Sequence, residues 1–198
     1  MSFYNFAKGV GKCLAAVFFK LEIEGKSNIP SGGGYVVCSN HIHVLDPIAI
    51  GLAFDREMYY LAKKELFKNK LFSKVLVSLG GIPIDREGTD LKAIKQSLKV
   101  LKNDEILFVF PEGTRNKTGE YIEPKQGVSV LAWKTKSKVV PVYIDAKKKY
   151  KLFSKVVVRI GEPIDYSDYF DQKPTGEDYK KMSNDIMNHV FALKKEGI

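Results

Sequence analysis

The chain has 198 residues, of which 44% are hydrophobic and 12% aromatic, which is enough to bury the core of one domain and short for two. The formal net charge of +9 predicts an anionic partner and leaves nucleic acid, an anionic lipid surface and a phosphorylated substrate open. Two cysteines, Cys13 and Cys38, form no disulfide framework and no Cys-x-x-Cys pair, so a reducing cytoplasmic compartment is expected.

The N-terminal stretch from Phe3 to Leu21 is predicted to form an amphipathic helix. Its apolar residues recur at helical spacing, with Lys8 and Lys12 on the other side. Its longest uncharged apolar run is well short of the ~20 residues that a membrane span needs. Because it carries lysines and no acidic residue before Glu22, we expect residues 1–20 to associate with an anionic membrane surface. An ordinary core helix is the alternative.

From Leu21 onward, short apolar runs alternate with amphipathic stretches. The sequence predicts strands at Leu21–Ile23, Tyr35–Cys38, Met58–Leu61, Ile82–Ile84, Ile106–Phe110, Val139–Ile144 and Val156–Ile160. It predicts helices at Pro47–Phe54, Leu66–Leu79, Leu91–Leu101, Gly127–Thr135 and Tyr179–Leu193. This alternation predicts an α/β fold, a single domain with a mostly parallel or mixed seven-stranded sheet that is covered by helices.

The predicted helix Leu66–Leu79 has apolar residues on one side and lysines around the other. A lysine run of this kind is usually a solvated helix face. Contact of this helix with a lipid headgroup layer, beside the N-terminal helix, is the alternative.

The stretch from Ser39 to Asp46 places two histidines and a carboxylate directly behind an apolar strand. Pro47 indicates that a helix begins there, with Asp46 as its N-cap. A turn between strand and helix can fold the Asp46 carboxylate back toward His41 and fix which ring nitrogen carries the proton. The pair would then be a general base with its orienting group. A plain helix cap and an ordinary loop histidine are the alternative.

Two further strands end in polar residues. Arg86 follows one strand, and the sequence Pro-Glu-Gly-Thr-Arg, ending at Arg115, follows another. In a parallel sheet the ligand site lies at the carboxyl ends of the strands. If these strands are parallel, both arginines converge on the His41 turn and offer forked donors suited to a phosphate.

Taken together, these residues resemble the glycerophospholipid acyltransferases, especially the 1-acylglycerol-3-phosphate acyltransferases. The segments similar to the four family motifs are, in the family's order, Asn40–Asp46 with its His-x4-Asp pattern, Gly81–Arg86, Phe110–Arg115 and Val139–Val142. His43 and Pro83 depart from the pattern, because serine and an aromatic residue are common at those positions. Residues 21–198 are then expected to form the acyltransferase domain.

The resemblance implies an activity and a set of roles. His41 would deprotonate the free hydroxyl of lysophosphatidic acid, which attacks the thioester of acyl-CoA or acyl carrier protein, while Asp46 orients the imidazole. The glycerophosphate site implied by the family pattern consists of Arg86, Glu112, Gly113, Thr114 and Arg115. Within it we expect the arginines and backbone amides near Gly113 to bind phosphate, and Glu112 to orient an arginine or the substrate's hydroxyl.

The implied product is phosphatidic acid, formed by a peripheral protein at the cytoplasmic face of the membrane. No metal and no bound organic cofactor are expected, because the acyl carrier is a cosubstrate. The donor, the chain length and the lysolipid acceptor stay open, and another lysolipid is an alternative acceptor.

Two alternatives lie outside this family. The spacing His41-x-His43-x-x-Asp46 is a broken form of a His-x-His-x-Asp-His metal motif, which would indicate a metal-dependent hydrolase. Its spacing is wrong by one residue and the final histidine is absent. A basic module that binds nucleic acid or lipid is the non-enzymatic alternative, but no recognisable pattern of interleaved aromatics and lysines is present, so no nucleic-acid partner is expected.

Overall fold

A computed structural model describes residues 3–86, 88, 90–118, 120–146, 150–170 and 173–195. The strands are β1 (Phe19–Glu24), β2 (Tyr35–Ser39), β3 (Met58–Lys63), β4 (Gly81–Ile84), β5 (Ile106–Val109), β6 (Lys138–Asp145) and β7 (Ser154–Ile160). They form one seven-stranded sheet in the order β1-β7-β6-β2-β5-β3-β4. The predicted single α/β domain with a mixed sheet of this size is confirmed.

Strands β2 to β6 run parallel to one another, and β7 is antiparallel to β6 while β1 is parallel to β7. Every residue of β2 and β5 is buried, as expected for parallel strands covered on both faces. Because β2 and β5 are hydrogen-bonded neighbours, the turns that follow their carboxyl ends emerge side by side.

The helices are α1 (Phe3–Phe18), α2 (Asp46–Ala53), α3 (Lys70–Ser78), α4 (Leu91–Lys102), α5 (Gly127–Thr135), α6 (Ser167–Phe170) and α7 (Gly176–Ala192). The short α6 was not predicted. Helix α7 begins before the predicted Tyr179, because Thr175 and Asp178 form a capping box that starts it earlier.

Two predicted helices differ from the structure. The N-terminal helix ends at Phe18 and not at Leu21, because residues 19–24 pair with β7 as an edge strand. The helix predicted at Leu66–Leu79 is a 3₁₀ turn, Lys64–Phe67, followed by the separate helix α3. The break arises at Asn69, whose side chain accepts hydrogen bonds from two amides of the next turn and so starts a new helix.

Helices cover both faces of the sheet. Successive residues of β2 point to opposite faces, so Val37 belongs to one hydrophobic cluster and Val36 to the other. The first cluster includes side chains of α1 and α2, and the second includes side chains of α4, α5 and α7. The polar turns at the strand ends therefore lie above a core that is closed on both sides.

Helix α1 leaves an apolar stripe uncovered, made of Phe6, Val10 and Val17, whose exposed fractions are 61%, 43% and 61%. Lys8 does not lie on an outer polar face as predicted, because its ammonium donates to two backbone carbonyls at the end of α2, where the helix dipole favours a cation. Among the residues described, none of the helices has the length and apolar character needed to cross a membrane. Met1 and Ser2, within the predicted range 1–20, lie outside the described residues.

Candidate active site

The turn after β2 is tied to the neighbouring strand β6 through Asn40. The side-chain amide of Asn40 donates to the Ile144 carbonyl at 3.0 Å, and its oxygen accepts from the Ile144 amide at 2.7 Å. One side chain thus replaces a pair of backbone hydrogen bonds of the sheet. These bonds fix the position of the next residue, His41, relative to β6.

The buried Asp46 carboxylate organises the turn. Its Oδ2 accepts from Nδ1 of His41 at 2.9 Å and from the amides of Ile42 and His43 at 2.7 Å each. Its Oδ1 accepts from the hydroxyl of Tyr150 at 2.8 Å. These donors replace the water that the carboxylate loses on burial, which is what a buried charge requires.

Asp46 is not the N-cap of α2, contrary to the prediction from sequence. It is the first residue of the helix, and Leu45 occupies the cap position without a side-chain hydrogen bond. The amides of Ile48 and Ala49 bond to the Leu45 carbonyl. The carboxylate of Asp46 turns back onto the residues before the helix, so the alternative in which it only caps a helix is wrong.

This contact defines the state of the His41 ring. A carboxylate only accepts hydrogen bonds, so Nδ1 of His41 carries a proton and donates it to Asp46. The neutral ring then has its lone pair on Nε2, which has no hydrogen-bond partner among the described residues. A ring with one nitrogen held and the other free is the arrangement of a general base.

The loop after β5 holds His41 from the other side. His41 is only 7% exposed, and its ring stacks on Phe110, with ring centroids 3.8 Å apart. Glu112 Oε2 accepts from the His41 amide at 2.9 Å, and the Asn116 amide donates to the His41 carbonyl at 2.6 Å. The loop after β5 therefore holds the backbone of His41 at both its amide and its carbonyl.

Glu112 differs from the role expected for it. Its second oxygen, Oε1, accepts from the side-chain amide of Asn116 at 3.1 Å, and Glu112 is 3% exposed. Both oxygens are thus committed to the His41 amide and to Asn116. Glu112 makes these contacts instead of one with an arginine, and the other role expected for it, orienting the substrate's hydroxyl, stays a prediction.

Arg86 and Arg115 follow β4 and β5, as predicted, and come close enough to affect each other. Burial first, and then the charge of Arg115, lower the pKa of Arg86, which Glu65 partly opposes. In the part of the chain that the structure describes, neither guanidinium forms a hydrogen bond or a salt bridge. Two neighbouring guanidinium groups whose donors have no partner among the described residues can provide forked donors for an anion.

The remaining members of the predicted phosphate site, Gly113 and Thr114, lie in the loop after β5, directly before Arg115. Thr114 is exposed, and Gly113 adopts a positive φ of 67°. The Gly113 amide donates to the Phe110 carbonyl at 3.0 Å, so this amide serves the turn and is not available for the predicted contact with phosphate. The predicted contribution of other backbone amides near Gly113 stays a prediction.

Lys125 links the two arginine loops. Its Nζ donates to the Arg86 carbonyl at 3.0 Å, and its side chain covers Gly113 so closely that an added Cβ there would lie 2.9 Å from Lys125 Cε. Sequence reasoning missed Lys125 because it is one of 32 basic residues. It also missed Asn116 and Tyr150, whose partners are distant in sequence.

Two cavities lie on opposite faces of β5, each lined by a residue next to the turn. One, of about 340 Å³, lies between α4 and α5 and is bordered by Arg86, Phe110 and Val109. The other, of about 370 Å³, is bordered by Phe108 and by Pro47, the residue after Asp46. Both are lined mainly by apolar side chains, so each suits a hydrocarbon chain.

The histidines do not form the metal site considered as an alternative. Nδ1 of His43 accepts from the Leu45 amide at 3.3 Å, and both oxygens of Asp46 face hydrogen-bond donors. Within the described ranges no group of three or more His, Cys, Asp or Glu residues is placed to hold a metal ion. The metal-hydrolase alternative thus lacks a ligand set there.

A histidine oriented by a carboxylate at the carboxyl ends of parallel strands, beside two arginines, is an arrangement that suits general-base chemistry on an anionic substrate. The family model described as Acyltransferase matches residues 20–145. A 1-acyl-sn-glycerol-3-phosphate acyltransferase of Bacillus subtilis is 30% identical over 98% of both chains, and one of Streptococcus pneumoniae is 30% identical over 98% of this chain and 74% of its own. The crystal structure of the 1-acyl-sn-glycerophosphate acyltransferase PlsC from Thermotoga maritima matches with a TM-score of 0.75 and 26% identity, over 98% of this chain and 81% of that one. The chain belongs to the 1-acyl-sn-glycerol-3-phosphate acyltransferase family.

Proposed function

We propose that the protein transfers a fatty acyl group from acyl-CoA or acyl carrier protein to the free hydroxyl of 1-acylglycerol-3-phosphate, or lysophosphatidic acid, and forms phosphatidic acid. The observation that carries the proposal is the His41 ring, whose Nδ1 is held by Asp46 while its Nε2 has no hydrogen-bond partner among the residues that the structure describes. The names of the relatives that match over nearly the whole chain support this acceptor. No bound organic cofactor takes part in the proposed reaction.

In the proposed reaction Nε2 of His41 takes the proton of the acceptor hydroxyl while its oxygen attacks the thioester carbonyl. The imidazolium that forms is stabilised by Asp46. When the carbon–sulfur bond breaks, the thiolate leaves with the proton that the imidazolium returns. The acyl group moves directly to the acceptor, and the ring is neutral again for the next turnover.

The acceptor phosphate would bind Arg86 and Arg115. Charge-assisted hydrogen bonds to a phosphate are stronger than neutral ones, and the forked guanidinium fixes the orientation of the phosphate as well. Thr114, exposed in the same turn, adds a hydroxyl to this site. Glu112 and Gly113 contribute by shaping the turn, as their hydrogen bonds indicate.

The two cavities support a reaction that brings two hydrocarbon chains together. The acceptor carries one acyl chain and the donor carries the chain that is transferred. We propose that each chain lies in one cavity, since the cavities lie on opposite faces of β5, one beside Phe110, which stacks on His41, and the other beside Pro47, which follows Asp46.

We also propose that the protein works as a peripheral protein on an anionic membrane surface, at its cytoplasmic face. The stripe of α1 presents three apolar side chains to solvent. Helix α3 buries none of its residues and exposes Leu71 to 76% beside several lysines. Apolar side chains next to lysines suit a layer of anionic headgroups, where the acceptor lipid resides.

An acyl-transfer assay tests the function. Purified protein is given labelled acyl-CoA or acyl carrier protein, crossed with lysophosphatidic acid and with lysolipids that carry other headgroups. We expect phosphatidic acid from lysophosphatidic acid with at least one donor, at a rate that a chelator leaves unchanged. Acylation of another lysolipid alone would contradict the proposed acceptor, and release of free fatty acid alone would contradict acyl transfer.

A further inference from the structure

Tyr150 lies in the connection between β6 and β7, beyond all four motifs and beyond the region that the family model matches. Its ring meets Phe19 of β1 edge-on, with centroids 5.2 Å apart, and stacks on His43 at 4.9 Å. Its backbone has a positive φ of 58°, which is uncommon for a residue with a bulky side chain. The chain thus adopts an unfavourable conformation where it places this ring against the catalytic turn.

The hydroxyl of Tyr150 reaches the one oxygen of Asp46 that the turn itself leaves open. Oδ2 accepts from three donors of residues 41–43, whereas Tyr150 is the donor to Oδ1, at 2.8 Å. Burial, followed by the charge of Asp46, raises the pKa of the Tyr150 phenol, so the phenol keeps its proton and donates it. A buried carboxylate with one oxygen unsatisfied would be unstable in this position.

We propose that Tyr150 is a positioning residue for acyl transfer, holding the carboxylate of Asp46 from the side opposite to His41. The proposal rests on the proposed function, because it assigns Tyr150 to the same His41–Asp46 pair. The phenol prevents the carboxylate from rotating and limits its negative charge. His41 therefore faces a carboxylate of fixed orientation and fixed strength.

The titratable groups around the pair are known from the described contacts. Tyr150 donates to Asp46, His43 stacks on Tyr150, and Glu112 accepts from the His41 amide. Among them Tyr150 is the group that contacts Asp46 and not His41, so its hydrogen bond acts on His41 through the carboxylate. Without the hydroxyl, Asp46 loses the hydrogen bond that partly neutralises its negative charge. The carboxylate then stabilises the imidazolium of His41 more strongly.

The test is Tyr150→Phe, which keeps the ring against Phe19 and His43 and deletes the hydroxyl. The matched control is Tyr166→Phe, because Tyr166 is buried and donates to Asp185 at 2.7 Å, outside the catalytic turn. We expect Tyr150→Phe to lower kcat by about tenfold or more, the loss that follows from deleting a hydrogen bond to a charged group. We also expect the acid limb of its pH–rate profile to move to higher pH, whereas Tyr166→Phe changes neither.

The same comparison works without substrate, through an NMR titration of the labelled His41 ring in wild type and Tyr150→Phe. A shift of the titration to higher pH in Tyr150→Phe supports the proposal even if the wild type acylates no lysophosphatidic acid, so failure of the proposed function is distinguishable. An unmoved titration, or a kcat within twofold of wild type with an unmoved acid limb, would overturn it. A change in melting temperature alone, with both pH readouts unmoved, would show that Tyr150 only packs.

Discussion

The turn that bears His41 and the loops that bear Arg86 and Arg115 are built in opposite ways. In the turn, Asp46 accepts four hydrogen bonds and the backbone of His41 is held on both sides. In the loops, neither guanidinium has a hydrogen-bonded or salt-bridged partner among the described residues, and the charge of Arg115 lowers the pKa of Arg86. On the proposed function, the base is held in place before substrate binds, whereas the two arginines gain their hydrogen-bond partner only when the phosphate binds.

This difference separates catalysis from binding. Groups that act on the reacting atoms are most effective when they need no rearrangement at the moment of reaction. Charges that await a ligand repel each other in the free protein, and the ligand relieves that repulsion when it binds. Substitutions in the turn should therefore act mainly on kcat, and substitutions in the arginine loops mainly on binding of the phosphate.

Together with Asp46→Asn, His41→Ala is expected to have the largest effect, because it removes the base itself. A positioned general base contributes about 10²–10⁴ to the rate, so turnover should fall by at least that factor. The control is His189→Ala, since His189 is exposed on α7 and also has an aspartate neighbour, Asp185. Turnover and circular dichroism of both variants are measured together. A folded His41→Ala protein that keeps its rate would remove His41 from the mechanism.

Arg115→Ala and Arg86→Ala should have the next largest effect. A hydrogen bond to a charged group contributes ~1.5–3 kcal/mol, so kcat/KM for lysophosphatidic acid should fall by roughly 10- to 150-fold in each variant. Lysine should rescue poorly, because it has no fork. The control is Arg56→Ala, whose guanidinium bonds to carbonyls of Gly33 and Asp104. If kcat/KM of Arg115→Ala or Arg86→Ala equals that of this control, that arginine does not bind the phosphate.

The smallest effect on chemistry is expected from the stripe of α1. Replacing Val17 of the stripe and its exposed neighbour Phe18 with serine should release the protein from anionic vesicles, since each buried apolar side chain contributes at most ~1.5–3 kcal/mol. Phe6 and Val10 are left unchanged because they also line the cavity beside Pro47. Deleting residues 1–20 is a poorer test, because Ala15 and Phe19 belong to the core. Leu91→Ser, at an exposed site on α4, is the control. Equal sedimentation of the variants with vesicles would contradict the role of the stripe.

Much of the fold was predictable because its signals are local. Parallel strands such as β2 and β5 are buried on both faces and read as short apolar runs. The pairing of His41 with Asp46 was predictable because the two lie only five positions apart and Pro47 marks the turn. The helix break at Asn69 was also a local signal, in that asparagine favours the N-cap, but the apolar periodicity on both sides of it indicated one helix.

The rest of the site depends on contacts that sequence spacing does not reveal. Glu112 meets the His41 amide across 71 residues, and Tyr150 meets Asp46 across 104. These contacts exist because β2 lies between β5 and β6 in the sheet, which brings the turns after all three strands together. Asp46 was assigned to a helix cap because a cap is the commonest local use of aspartate at that position. In the structure the carboxylate instead accepts from His41, Ile42 and His43, which precede it, and from the distant Tyr150.

The substitution Asp46→Asn tests the central claim, that Asp46 orients and stabilises His41 as the base. Asparagine has the same shape, its oxygen still accepts from the amides of Ile42 and His43, and its amino group faces the Tyr150 hydroxyl, which can accept. It carries no charge to stabilise an imidazolium, and in the serine-protease triad such a swap lowers kcat by ~10⁴. We predict a loss of kcat of that order, with a melting temperature close to that of wild type. A variant that loses stability and keeps its turnover would show that Asp46 only builds the turn.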